Sequence, residues 1–126
     1  ILPTLAEAAG VEPPVGVDGK SLLPLLKEDD AAPWRDAWLD TYDMNYLGDE
    51  GEKPHMRMIR TDDWKLILYL DEAGNPLDDG ARHELFDLKR DPGECENRYA
   101  DPAAEGIRRS LEKRLRDWMQ SSGVTE

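Results

Sequence analysis

The chain has 126 residues, of which 28 are acidic and 16 basic, giving a formal net charge of -12. This acidity argues against nucleic acid as a partner, because a phosphate backbone is bound by clustered Lys and Arg. One cysteine, Cys95, excludes an internal disulfide and a cysteine-only metal site, and no apolar run approaches the roughly 18 residues of a membrane span. We expect a folded, soluble, acidic chain with no membrane partner, whose compartment the composition does not reveal.

Apolar residues recur at helical spacing from the first position: Ile1, Leu2, Leu5, Ala8 and Ala9. Gly10 is a typical stop, but no Ser, Thr, Asp or Asn precedes Pro3 to cap the helix. The chain also does not open with Met. We therefore expect the helix to begin upstream and the chain to be a fragment of something longer; the alternative is a trimmed native terminus.

Residues 11–18, with Pro13-Pro14 and Gly16, favour an extended connector. Four leucines around one proline in residues 19–26 then predict a short buried turn rather than a helix of any length. Gly19-Lys20-Ser21 invites comparison with a phosphate-binding loop, but the glycine needed five positions earlier is Pro14 and no strand precedes it. A packed linker is the favoured interpretation.

Residues 55–70 predict two strands joined by a tight turn at Asp62-Asp63, the centre of a small sheet. This register sets Ile59 opposite Leu66 and Met58 opposite Ile67, so both faces of the hairpin carry large apolar groups. Additional strands are predicted by alternation at residues 34–42 and by the short segment 84–88.

Two acidic stretches, residues 45–54 and 71–80, are predicted to be loops. The carboxylates of the second suggest calcium, but the regular oxygen spacing of a helix–loop–helix site is absent, and a solvated hairpin loop is the favoured interpretation.

The C-terminal segment predicts a long helix, capped by Asp101 and begun by Pro102. One apolar stripe runs along it: Ile107, Leu111, Leu115, Trp118 and Met119. Burying about five such side chains contributes on the order of 10 kcal/mol before entropic costs. We expect this helix to cover one side of the hairpin and to leave the other side needing a partner.

Five segments, in this order, resemble the C-terminal region of the sulfatase family. They are ILPTL with AGV (residues 1–11), VDGKSLLPLL (17–26), MIRTDDWKLI (58–67), ELFDL with DPGE and Asn97 (84–97), and the closing WM (118–119). The resemblance implies an α+β fold, a small antiparallel sheet of about four strands packed against the long C-terminal helix. It assigns residues 1–26 to the end of the catalytic-domain region and 27–126 to the C-terminal subdomain.

The resemblance also implies that the partner is the catalytic domain upstream in the same chain, packed beside the sheet. Sulfatases hydrolyse sulfate esters with a formylglycine made from Cys/Ser-x-Pro-x-Arg beside a divalent metal, here expected to be calcium. That motif is absent, because Cys95 lacks a proline two positions on and Ser21 has Leu25 where arginine is needed. We expect no catalytic or metal-binding residue, an inactive isolated chain, and an active parent that could be exported.

Two basic pairs are the candidate site residues. Arg60 and Lys65 are cross-strand neighbours in the predicted register, an unfavourable arrangement unless a carboxylate from Asp87, Glu84 or a loop lies between them. The alternative is contact with an anion or with the catalytic domain.

His55 and Arg57, at the end of the hairpin far from its turn, are the candidate substrate-binding residues. The resemblance implies this role, since sulfatase subdomains sometimes lend a basic side chain to the substrate pocket, and the alternative is simple solvent exposure. Both histidines, His55 and His83, are interpreted as ordinary strand-end residues; a meeting with Asp40 or Asp43 is the alternative.

Three functional hypotheses follow. The first is a C-terminal fragment of a sulfuric ester hydrolase that completes the fold and flanks the substrate entrance; it predicts an exposed apolar patch and self-association of the isolated chain. The second is a free-standing acidic interaction module with a polar outer sheet face. The third is the same subdomain of a related phosphatase or phosphonate hydrolase.

Overall fold

The structure is a computed structural model that describes residues 1–17, 19–27, 34–43, 55–77 and 82–122. The chain divides into two compact units, residues 1–35 and 36–126. The predicted loop at 45–54, and residues 78–80 of the predicted loop at 71–80, lie outside the described residues. No helix in the described ranges is both long and apolar enough to cross a membrane.

The first unit contains two helices, α1 (Leu2–Ala8) and α2 (Leu23–Leu26). The first helix ends where predicted, with Gly10 at φ +70° and the Val11 amide donating to the Ala6 carbonyl over 2.9 Å. The left-handed conformation of Gly10 places the Gly10 and Val11 amides so that they donate to carbonyl groups that the helix end would otherwise leave unpaired. The Leu22 amide donates to Thr4 Oγ1 over 3.0 Å and so ties the start of α2 to α1.

The prediction of a buried turn at residues 19–26 was wrong about burial. The segment is a single helical turn with no buried residue, and Leu26 is 70% exposed. Four leucines in one turn point in every direction around the axis, and a unit of this size cannot surround them. The apolar residues Ile1, Leu2 and Leu5 at the first helix are exposed as well.

The second unit is built on four antiparallel strands: β1 (Trp38–Asp43), β2 (His55–Arg60), β3 (Trp64–Leu70) and β4 (Glu84–Asp87). They lie in the order β1-β2-β3-β4. The predicted register of the central hairpin is confirmed, with Ile59 opposite Leu66 and Met58 opposite Ile67. Its turn is closed by the Thr61 amide donating to the Trp64 carbonyl over 2.8 Å.

A long helix, α3 (Glu105–Ser122), follows a short 3-10 turn at Pro102–Ala104. Asp101 caps it as predicted, its side chain accepting from the Ala103 amide over 2.8 Å. Three members of the predicted stripe are buried: Leu111, Leu115 and Met119.

Ile107 was wrongly placed in the buried stripe, because it is 41% exposed. It lies on the margin of a stripe whose centre passes through Leu111 and Leu115, near the start of the helix. Ala104, in the 3-10 turn, is buried in the core there instead.

The two faces of the sheet differ in what covers them. Strand alternation and the register define the helix face, which carries Leu39, Ile59, Trp64, Leu66, Leu68, Leu70 and Leu85 against α3. The opposite, outer face carries the alternate residues of the same strands: Trp38, Asp40, Tyr42, Met56, Met58, Arg60, Lys65, Ile67, Tyr69, Glu84 and Phe86. The fully buried side chains Ile59, Leu66, Leu85 and Leu115 all belong to the core between the helix face and α3. The α+β fold predicted from the sequence is therefore confirmed.

The free edge of β4 is closed by Asn97. Its Oδ1 accepts from the Leu85 amide over 3.0 Å, and its Nδ2 donates to the His83 carbonyl over 2.8 Å. The Arg98 amide then donates to the Leu85 carbonyl over 2.8 Å. A side chain thus replaces the neighbouring strand that this edge lacks.

Candidate functional site

The ends of β1 and β2 bring together a carboxylate and two basic side chains, here named the Asp43 cluster: Asp43, His55 and Arg57. The strand register sets Asp43 directly opposite His55, at the end of the hairpin far from the Asp62-Asp63 turn. One oxygen, Asp43 Oδ1, accepts from Arg57 Nη1 over 2.5 Å and lies 2.9 Å from His55 Nδ1. The two predicted substrate-binding residues therefore share a single acceptor.

Arg57 is buried, with only 7% of its surface exposed. It projects from the helix face, where its cross-strand partner is Leu68, and Nη1 also donates to the Met56 carbonyl over 3.0 Å. Its Nε is buried, and no hydrogen-bond partner for it lies among the described residues. Simple solvent exposure, the alternative for this residue, is therefore wrong: the guanidinium is held in place by an ion pair, as buried charges require.

The pKa of Asp43 is influenced most by Arg57. The hydrogen bond from Arg57 lowers the pKa of Asp43, burial opposes that shift, and the contact with His55 lowers the pKa further. Asp43 is therefore a carboxylate at neutral pH. Chemically, the second ring nitrogen of His55, whose side chain is 24% exposed, can bind a hydroxyl group, while buried Arg57 holds Asp43 in place behind it. It contains no hydroxyl or thiol nucleophile.

The second predicted pair, Arg60 and Lys65, lies on the outer face, and its members are cross-strand neighbours as the sequence predicts. Lys65 Nζ donates to Glu94 Oε2 over 2.5 Å and stands 5.9 Å from the centre of the Phe86 ring. The compensating carboxylate thus comes from a loop, one of the sources expected.

The other expected sources of that carboxylate are engaged elsewhere. Asp87 lies 3.4 Å from the guanidinium of Arg98, and Glu84 accepts from the Tyr69 hydroxyl over 2.8 Å. Arg60 is exposed and makes no hydrogen bond or ion pair within the described residues.

Sequence reasoning missed Glu94 as a member of this site. Glu94 has φ +54°, the one positive value among the described non-glycine residues, and its amide donates to the Asp91 carbonyl over 3.1 Å. The signal was the Asp-Pro-Gly-Glu turn, since such turns commonly end in a left-handed residue. Nothing in the sequence says that this turn reaches Lys65 on the outer face.

His83 has a structural role. It is 2% exposed, its Nδ1 accepts from the Tyr69 amide over 3.1 Å, and its Nε2 donates to the Leu77 carbonyl over 3.0 Å. The hypothesis that both histidines meet a β1 carboxylate is thus wrong for His83, although His55 does contact Asp43.

The described part of the acidic loop, residues 71–77, is closed by its own hydrogen bonds. The Asn75 amide donates to Asp71 Oδ1 over 2.8 Å, and this bond is the main cause of the lowered pKa of Asp71. Across the described ranges, no group of three His, Cys, Asp or Glu side chains is placed to hold a metal ion.

Comparison with known proteins gives a consistent result. A family model described as "N-sulphoglucosamine sulphohydrolase, C-terminal" matches residues 1–121. A multifunctional alkaline phosphatase superfamily protein of Trinickia caryophylli is 31% identical over 122 residues, covering 96% of this chain and 24% of that protein.

An N-acetylglucosamine-6-O-sulfatase of Bacteroides thetaiotaomicron is 37% identical over 97 residues, covering 75% of this chain and 16% of that protein. The solved structure of a 2-O GAG sulfatase superposes with a TM-score of 0.79 at 30% identity, covering 98% of this chain and 24% of that one. The chain therefore spans about a quarter or less of the length of the proteins it resembles.

Proposed function

The chain belongs to the N-sulphoglucosamine sulphohydrolase C-terminal family of the sulfatases, and we propose that it is the C-terminal subdomain of a larger sulfuric ester hydrolase. In this proposal the subdomain completes the enzyme's fold by packing its outer face against the upstream catalytic domain, and it flanks the substrate entrance. The isolated chain is inactive.

The observation that carries the proposal is the exposed β1 side of the outer face. Apolar and aromatic groups occupy this face on all four strands, and whereas Phe86 of β4 is buried, Trp38 and Tyr42 of β1 are 57% and 51% exposed. Aromatic side chains presented on a contiguous surface are typical of interaction sites rather than of a face meant for water. The relatives are about four times longer than the chain, so a partner domain is expected in the same polypeptide.

The catalytic chemistry is assigned to the upstream domain. A formylglycine and a divalent metal, expected to be calcium, would supply the nucleophile and the electrophilic assistance there. This chain contains no Cys/Ser-x-Pro-x-Arg motif, and its described residues offer no metal site. Its own residues therefore act by packing and by positioning.

The Asp43 cluster is proposed to face the substrate entrance. Asp43 neutralises the charge of Arg57 while fixing both basic side chains, so the cluster presents an oriented imidazole rather than a mobile cation. The exposure of His55 supports this role, because its side chain is 24% exposed while Asp43 holds the ring in place.

The function is tested by assaying the purified full-length parent against matched sulfate, phosphate and phosphonate monoesters of one phenol. We expect the largest kcat/KM for the sulfate ester. A parent that hydrolyses only the phosphorus esters would contradict the sulfatase assignment.

The Asp43 cluster is tested by H55Q and R57K in the same full-length enzyme, with R109Q, a largely exposed side chain of α3, as the matched control. If the cluster binds substrate, H55Q and R57K raise KM more than they lower kcat, while the thermal unfolding temperature stays near that of the parent. Equal loss of stability and activity would instead assign Arg57 a purely structural role.

A second candidate function is the same subdomain in a phosphatase or phosphonate hydrolase. It is favoured by the likeness to the multifunctional alkaline phosphatase superfamily protein. The ester panel separates it from the first, because the two enzymes differ in which ester they prefer rather than in how this subdomain packs.

A further inference from the structure

The four strands carry three Arg or Lys side chains: Arg57, Arg60 and Lys65. Arg57 is paired with Asp43 and Lys65 with Glu94. Arg60 alone has no carboxylate within the described residues, although the chain carries 28 acidic residues.

The neighbours of Arg60 on the sheet do not compensate its charge. On the outer face it stands between Trp38 of β1 and Lys65 of β3, its cross-strand neighbours on either side. Lys65 adds a like charge, and Glu94 is already engaged by Lys65. Asp40, on the same face, accepts from the Thr41 amide over 2.8 Å. A guanidinium in this position is tolerated while water reaches it.

Covering the outer face would change that balance. The proposed packing against the catalytic domain would remove water from Arg60, and a desolvated guanidinium needs a hydrogen-bonding anion close by. Trp38, the cross-strand neighbour of Arg60 and 57% exposed, would then help to shield this polar contact from water, as apolar groups do around the anchoring residues of interfaces.

We infer that Arg60 forms an ion pair with an Asp or Glu of the upstream catalytic domain, whereas Lys65 does not take part in that contact. The inference rests on the proposed function, since it names the charge that the partner surface must present. Arginine suits this role because its planar fork binds a carboxylate through two parallel hydrogen bonds.

The test uses the full-length parent carrying R60K and a water-soluble carbodiimide, which couples an amine to a carboxylate in direct contact. The wild-type parent is the matched control, because a guanidinium is not coupled by this reagent. The native Lys65–Glu94 pair is an internal control in both proteins, since its amine and carboxylate are already in contact. Peptide mass spectrometry locates each cross-link.

The expected result is a cross-link from position 60 to an Asp or Glu upstream of Ile1, present in R60K and absent from the wild type. A cross-link only to acids of this chain, such as Asp40, would overturn the inference, and so would no cross-link at position 60 while Lys65 and Glu94 are coupled. A link to a second copy, identified by mixing isotope-labelled and unlabelled protein, would also overturn it.

Hydroxyl-radical labelling of the same R60K and wild-type proteins separates this inference from the proposed function. If Trp38 is protected in both but position 60 gives no cross-link, the packing stands and the ion pair fails. If Trp38 is labelled as strongly in the parent as in the isolated chain, the packing itself fails.

Discussion

The helix face and the outer face of the sheet carry similar numbers of large apolar side chains, yet only one is sealed. On the helix face, Ile59, Leu66 and Leu85 are fully buried against α3. On the outer face, Trp38 and Tyr42 remain more than half exposed, and polar groups such as Arg60 and the Lys65–Glu94 pair interrupt the apolar surface. The first pattern is that of a core and the second that of an interface between folded parts.

The two edges of the sheet show the same contrast. The β4 edge is closed within the chain by Asn97, whereas β1 pairs with β2 alone among the described strands. The completed side of the unit is therefore α3 with the β4 edge, and the incomplete side is the outer face with β1. If this chain is part of a larger enzyme, substitutions on the two sides should lower the free energy of unfolding of the isolated chain by different amounts.

The largest contrast is expected from neighbouring residues on opposite faces. Leu66→Ala empties a fully buried position and should lower the free energy of unfolding by about 3 kcal/mol. Ile67→Ala, one residue along β3 on the outer face, should cost about 1 kcal/mol in the isolated chain. Urea denaturation of both variants measures the difference, and equal costs would break the distinction between the faces.

Closure of the β4 edge is expected to contribute somewhat less to the free energy of unfolding than the buried side chain of Leu66 does. Asn97→Ala removes the hydrogen bonds to the Leu85 amide and the His83 carbonyl and should cost about 2 kcal/mol. The matched control is Asn75→Ala, which removes an amide side chain from an exposed turn. If both variants unfold at the same urea concentration, Asn97 does not close the edge in any energetic sense.

The Asp43 cluster should make a smaller, pH-dependent contribution of less than about 1 kcal/mol, because Asp43 is partly exposed. The folded pKa of Asp43 lies below its ordinary value of 3.8. Its stabilisation is therefore complete above that value and is lost as the pH falls through the folded pKa. The difference in unfolding free energy between wild type and Asp43→Asn should shrink over this window; a constant difference would contradict the ion pair.

The smallest effect on unfolding is expected on the outer face. Trp38→Ser removes a largely exposed ring and should change the unfolding free energy of the isolated chain by less than about 0.5 kcal/mol. We expect the isolated wild-type chain to self-associate through this face, and Trp38→Ser should weaken that self-association. Sedimentation velocity measures the difference. A wild-type chain that stays monomeric at high concentration would weaken the case for an uncovered interface.

Local signals in the sequence predicted the parts of the fold that depend on neighbours along the chain. The Asp62-Asp63 turn set the register of the central hairpin, and Asp101 followed by Pro102 located the start of the long helix. Ile107 was misplaced because helical spacing identifies a stripe, while the length of the covered surface depends on the sheet.

The candidate site was only partly predictable, since its contacts join residues far apart in sequence. Arg60 and Lys65 were correctly placed side by side because they belong to one hairpin. The Lys65–Glu94 pair could not be predicted in the same way, because its residues are far apart in sequence. The same holds for the contact of Asp43 with both His55 and Arg57. The burial of Arg57 was equally unreadable, because it depends on which face α3 covers.

The central claim, that the outer face is an interface to the catalytic domain, is tested most directly by hydroxyl-radical labelling of Trp38, Tyr42 and Met58 in the full-length parent and in the isolated chain. Trp118, on the buried side of α3, serves as the reference in both samples. The account predicts that the three outer-face residues are strongly protected in the parent while Trp118 is labelled equally in both. Equal labelling of Trp38, Tyr42 and Met58 in the two proteins would contradict it.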